Sequence, residues 1–145
     1  MSATGLEVFD KTLQTTNIWL NEIGETLGPD RQRCYHALRA VLQTLRDRLS
    51  VESAAHVSAQ LPMLVRGIFY DGYHPAGTPE AVRSQDEFLQ RISARLDSGR
   101  AIDAGDAARA VFTVLARHLP EGTVLNVVDT LPADIRRLFP QQAVH

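Results

Sequence analysis

A single cysteine, Cys34, leaves this chain of 145 residues without an internal disulfide, which fits a reducing compartment. Lysine is nearly missing as well: Lys11 stands alone against fourteen arginines. Alanine is abundant at the same time, so GC-rich codon usage and a bacterial source are expected. No apolar run approaches the roughly 20 residues of a spanning helix, which argues against a membrane protein. The opening MSATGLEVFDK has neither the basic start nor the apolar stretch of a secretory leader, so a cytoplasmic address is expected. With a net charge of −2 and no concentrated basic face, nucleic acid is not an expected partner. The histidines at 36, 56, 74, 118 and 145 never pair at the i, i+4 spacing of a helical metal site, so no metal is expected. No nucleophile elbow, phosphate-cradling glycine loop or evident carboxylate pair occurs. Nothing in the chain asks for catalytic residues or a cofactor.

What remains is 44% hydrophobic and 22% charged in 16.0 kDa, enough for one compact domain spanning residues 1–145. Inside it the sequence repeats. Residues 37–69 slide onto 107–139 at a constant offset of 70 with eleven identities in 33 positions. They fall at Ala37/Ala107, Arg39/Arg109, Ala40/Ala110, Val41/Val111, Leu45/Leu115 and Leu49/Leu119. The rest are Val57/Val127, Leu61/Leu131, Pro62/Pro132, Arg66/Arg136 and Phe69/Phe139. A duplicated unit is expected, with a first repeat at 5–73, a linker at 71–83 and a second repeat at 84–140.

Read together, the two copies give an all-α fold of about eight helices, in two similar four-helix halves packed as one bundle. The expected spans are 5–27, 30–49, 51–61, 62–70, 85–97, 104–119, 121–131 and 132–139. Ala37, Val41, Leu45 and Leu49 recur every four residues, as an amphipathic helix requires. Thr4 with Glu7 and Ser84 with Glu87 read as capping boxes, and Asp103 and Ser50 as helix starts. Gly28-Pro29, Asp71-Gly72, Ser98-Gly99 and Pro140 read as stops. Each Leu-Pro step marks a corner, with proline in the first turn of the short helix that follows. The β-branched TVLNVVDTL at 123–131 resembles a strand by propensity. Its counterpart SAAHVSAQL at 53–61 is alanine-rich, so both are expected to be helical.

The stretches ALRAVLQTLRDRLSVESAAHVSAQLPMLVRGIFYDGY at 37–73 and AARAVFTVLARHLPEGTVLNVVDTLPADIRRLF at 107–139 resemble a bacterial family, domain of unknown function 2267. The resemblance implies a small all-helical bacterial protein, sometimes found beside CBS-type regulatory modules. It implies no activity and no catalytic residues.

Function must then be sought in what the repeat does not explain. The segment FYDGYHP at 69–75 gathers two tyrosines and a histidine at a glycine turn, and the second copy has no equivalent. Tyr70, Asp71, Tyr73 and His74 are therefore the candidate binding surface; the alternative is that they only cover the core. Arg39 and Arg46, seven apart, share a helix face with Gln32 and Gln43 and read either as a solvated face or as a contact for an acidic partner. The first helix outruns its counterpart, and Ile18 and Trp19 broaden its apolar stripe, which makes a homodimer possible. The expected function is a non-enzymatic interaction or regulatory module with an unknown protein partner. The alternative is a small-molecule binder with its pocket between the repeats.

Overall fold

In the computed structural model, which describes residues 4–96 and 101–141, eight α-helices follow one another and the described residues contain no strand. They are α1 (Glu7–Leu27), α2 (Arg31–Arg48), α3 (Val51–Ala59), α4 (Met63–Tyr70), α5 (Gln85–Arg95), α6 (Ala104–His118), α7 (Glu121–Thr130) and α8 (Ala133–Arg136). A 3-10 turn, Pro75–Gly77, lies between α4 and α5. The fold is all-α as expected, and TVLNVVDTL is helical in α7. The expected stop at Ser98-Gly99, and His145, lie outside the described residues.

The helix ends explain the boundaries. Asp30, Ser50, Ser84 and Asp103 each accept a backbone N–H from the first turn of the helix they open. The Thr4–Glu7 box does not form. Leu6 is the N-cap of α1, and Thr4 turns its hydroxyl and its N–H to the Asp10 carboxylate at 2.7 and 2.9 Å. Gly28 ends α1 at φ 97°, a left-handed conformation that suits glycine. The last helix is shorter than expected. After Arg136 the chain tightens into i→i−3 bonds, Leu138 to Ile135 and Phe139 to Arg136. Pro140 disfavours α geometry at the residue before it.

The two Leu-Pro corners are built alike. Pro62 (φ −56°, ψ 150°) and Pro132 (φ −57°, ψ 151°) are N-caps, one residue earlier than the expected first-turn position. The arginine four residues later reaches back to the carbonyls at the end of the preceding helix. Arg66 donates to Ser58 O and Leu61 O at 2.8 and 3.0 Å, and Arg136 to Leu131 O and Asp129 O at 2.7 and 3.2 Å. Helix ends leave such carbonyls without intrahelical donors. Phe69 and Phe139 then close each corner into the core.

Several helix contacts recur when α1–α4 are exchanged for α5–α8: α1 packs on α2 as α5 packs on α6, α1 on α6 as α2 on α5, and α1 on α4 as α5 on α8, while α2 meets α6 and α3 meets α7. The packing of α2 on α4 has no counterpart of like extent between α6 and α8 among the described residues. At the centre lies α2, buried on every side from Ala40 to Asp47.

Candidate functional site

Tyr70, Asp71, Tyr73 and His74 lie together where α4 gives way to the turn at Gly72, whose φ is 75°. Asp71 and His74 are exposed, and the two tyrosines are half-buried with ring centroids 5.5 Å apart. Arg46 holds this corner from below. Its Nη1 donates to Phe69 O at 3.0 Å and to Asp71 O at 2.9 Å, and its guanidinium lies 5.1 Å from the centre of the Tyr73 ring. Gln43 donates to Ile68 O at 3.0 Å, and Arg48 Nε to Val82 O at 2.8 Å.

Arg46 is therefore neither a solvated residue nor a partner contact, as the helix face had suggested. It is 3% exposed and paired with Asp47 through two bonds of 2.8 and 3.1 Å. Gln43 is buried too, whereas Arg39 is half-exposed and sits 3.9 Å from the Asp71 carboxylate. Arg95 completes the cluster, donating to Asp47 and to Thr44 Oγ1 at 2.5 and 2.9 Å. Burial alone would raise the Asp47 pKa, but the hydrogen bonds and charges of Arg46 and Arg95 outweigh it and hold the carboxyl below its ordinary range. The network binds the linker to α2, with Glu80 N donating to Asp47 O at 2.7 Å and Arg91 pairing with the Glu80 carboxylate at 2.6 Å.

Cys34 is buried beside Gly28 O at 3.5 Å, and burial, with the charge of Asp30, pushes its thiol pKa up. A thiol held protonated is a poor nucleophile. Among the described residues no three His, Cys, Asp or Glu side chains group as a metal site, and no helix is long and apolar enough to cross a membrane. His118 takes a structural position between α1 and α6. It stacks on Trp19 at 5.5 Å and meets both Glu22 carboxylate oxygens at 3.0 Å.

A second surface is apolar. Trp19 is buried, but the first half of α1 leaves Leu6, Val8, Phe9 and Leu13 exposed, and α4 adds Met63 and Leu64. Phe9 and Leu13 face Met63 and Leu64 across a groove floored by Gly67, where a side chain would meet nothing within 4 Å. Thr12 fixes this geometry by accepting the Leu64 N–H at 3.0 Å, a bond that Pro62 has no side chain to make. Along α4 the exposed face runs from Leu64 and Gly67 to Asp71, toward the 70–74 corner.

The family model described as an uncharacterized conserved protein, DUF2267, matches residues 16–138. The chain belongs to the DUF2267 family. No curated protein matches it. For this DUF2267 chain, then, function has to be argued from its own surfaces. The apolar groove was not singled out from sequence because Leu6, Phe9 and Leu13 sit in register with Thr16, Leu20, Ile23 and Leu27 and read as one core stripe. The buried residues of α1 are Thr16, Trp19 and Ile23, so its burial begins only at Thr16. The available signal was length: α1 has 21 residues and α5 has 11.

Proposed function

We propose that this chain is a cytoplasmic bacterial protein-interaction module without enzymatic activity, built from two copies of a four-helix unit. Its contact face is the apolar groove between the first half of α1 and α4. The observation that carries the reading is a groove lined by four large exposed apolar side chains, Phe9, Leu13, Met63 and Leu64, with Leu6 and Val8 exposed beside it. Each is roughly half exposed, which puts on the order of 500 Å² of apolar surface there, near the upper end of what a monomer displays.

The occupant is a second copy of the chain. The face is self-complementary: one wall of the groove is itself an amphipathic stripe, Leu6, Phe9 and Leu13, of the kind that fills such a groove. A two-fold axis through α1 places each stripe in the other copy's groove, and the exposed apolar area is a large part of the about 800 Å² per partner that a standard interface buries. Tyr70, Asp71, Tyr73 and His74, at the far end of the same α4 face, form the polar margin left for a further partner.

Light scattering on the purified chain is expected to report about twice 16.0 kDa. Phe9→Glu with Leu64→Glu should give the single-chain mass and a melting temperature, measured at low protein concentration, close to that of the parent. Both positions are solvent-exposed in the single chain. A parent that stays at 16.0 kDa at high concentration, or a doubly charged variant that still dimerises, overturns the reading.

A further inference from the structure

A cleft of about 390 Å³ lies between α3 and α7, and its walls are made of residues that correspond at the offset of 70. His56 faces it with Asn126, Gln60 with Thr130, and Ser53 with Thr123. Val57 and Val127, both buried, are the apolar floor. One member breaks the correspondence: Asp129 lines the cleft where the first copy has Ala59. The contact between α3 and α7 thus puts one hydrogen-bonding wall from each copy around a shared floor.

The chemistry of these walls selects a ligand class. The side chains of His56, Gln60 and Asn126 and the Asp129 carboxylate hydrogen-bond to no described residue. Each amide presents a donor and an acceptor side by side, which matches the edge of a cyclic amide or amidine. Asp129 accepts only, so its partner is an N–H, and an exocyclic amino group supplies one. The lining contains no lysine or arginine. Arg66 and Arg136 lie outside the lining and turn Nε and Nη2 to the corner carbonyls, while Asp129 within it repels a phosphate. A polyol is a poorer match, since the valine floor would strip water from hydroxyls without replacing it. The volume falls within the range of small-ligand sites.

We propose that the α3–α7 cleft binds an uncharged, amino-bearing heterocycle of nucleobase or nucleoside size, with Gln60 and Asn126 reading its edge and Asp129 its amino group. The site is separate from the apolar groove, and its test does not depend on the oligomeric state.

The full chain, labelled at valine methyls, is titrated with adenosine, guanosine, cytidine and uridine, and with glucose and the corresponding 5′-monophosphates. At least one of the three amino-bearing nucleosides is expected to shift the Val57 and Val127 resonances saturably and to raise the melting temperature with its concentration. Uridine and the monophosphate should bind at least about tenfold more weakly, a difference of about 1.4 kcal/mol. Gln60→Leu with Asn126→Leu should lose tenfold or more in affinity, as should His56→Ala, with the melting temperature of the free protein held. All three residues are exposed. The proposal is overturned if no amino-bearing nucleoside moves the valine methyls, if glucose or a monophosphate moves them equally, or if both variants bind as the parent does.

Discussion

Asp47→Ala is expected to lower the unfolding free energy by about 3–5 kcal/mol, because it strands two guanidinium groups that the carboxylate now pairs. Arg46 is 3% exposed and, among the described residues, has no other anion within bonding distance, while Arg95 would keep there only its bond to Thr44. A loss of that size is a large share of the 5–15 kcal/mol that folded domains have. Urea denaturation followed by circular dichroism measures it. The damage should be local first, with amide exchange accelerating across 71–83, the linker that Asp47, Arg46 and Arg48 hold. Acid adds a second readout. The Asp47 pKa is lowered in the folded state, so its contribution is complete above the unfolded value near about 4 and is lost as pH falls through the folded value. The parent should therefore lose stability more steeply than Asp47→Ala below about pH 4. If the two acid limbs run parallel, Asp47 is not the charge that holds this corner.

That network shows where sequence reading stops. The absence of an FYDGYHP equivalent in the second copy is visible by comparison at offset 70. Its cause lies about 25 positions earlier, where Gln43, Arg46 and Asp47 stand against Thr113, Ala116 and Arg117. A polar residue on a helix is ordinarily assigned to a wet face. That assignment presumes a wet face exists, and α2 has none from Ala40 to Asp47. Burial on all sides is a property of the assembled bundle, set by α1, α4, α5 and α6 packing around one helix.

Elsewhere the sequence match at offset 70 carried more than propensity could. The β-branched α7 is helical because Val124, Val127 and Val128 present one apolar face to the core, as Ala54 and Val57 do from α3. Tertiary burial outweighs an intrinsic preference worth a few tenths of a kcal/mol per residue. The lining of the α3–α7 cleft is not legible in the sequence, because it depends on which faces of two helices far apart in the chain come together.

The second large effect concerns α1. Trp19 is 1% exposed, fills the seam between α1 and α6, and stacks on His118 with ring planes 22° apart. Replacing it by alanine should lower stability by about 3–5 kcal/mol, through lost transfer energy and a cavity that the helical walls cannot close. Yet its indole N–H has no partner among the described residues. A buried donor left unpaired is itself destabilising by about 1–3 kcal/mol. Trp19→Phe removes that donor and keeps most of the ring, so it should cost much less than Trp19→Ala, within about 1.5 kcal/mol of the parent. Because Trp19 is the only tryptophan, both variants must be followed by circular dichroism, not by fluorescence. Glu22 would still join α1 to Arg117 at 2.8 Å and to His118, so the alanine variant should remain helical at low temperature and unfold earlier. Equal losses for Phe and Ala would mean that the indole N–H is satisfied after all, and that the seam depends on that bond more than on the volume of the ring.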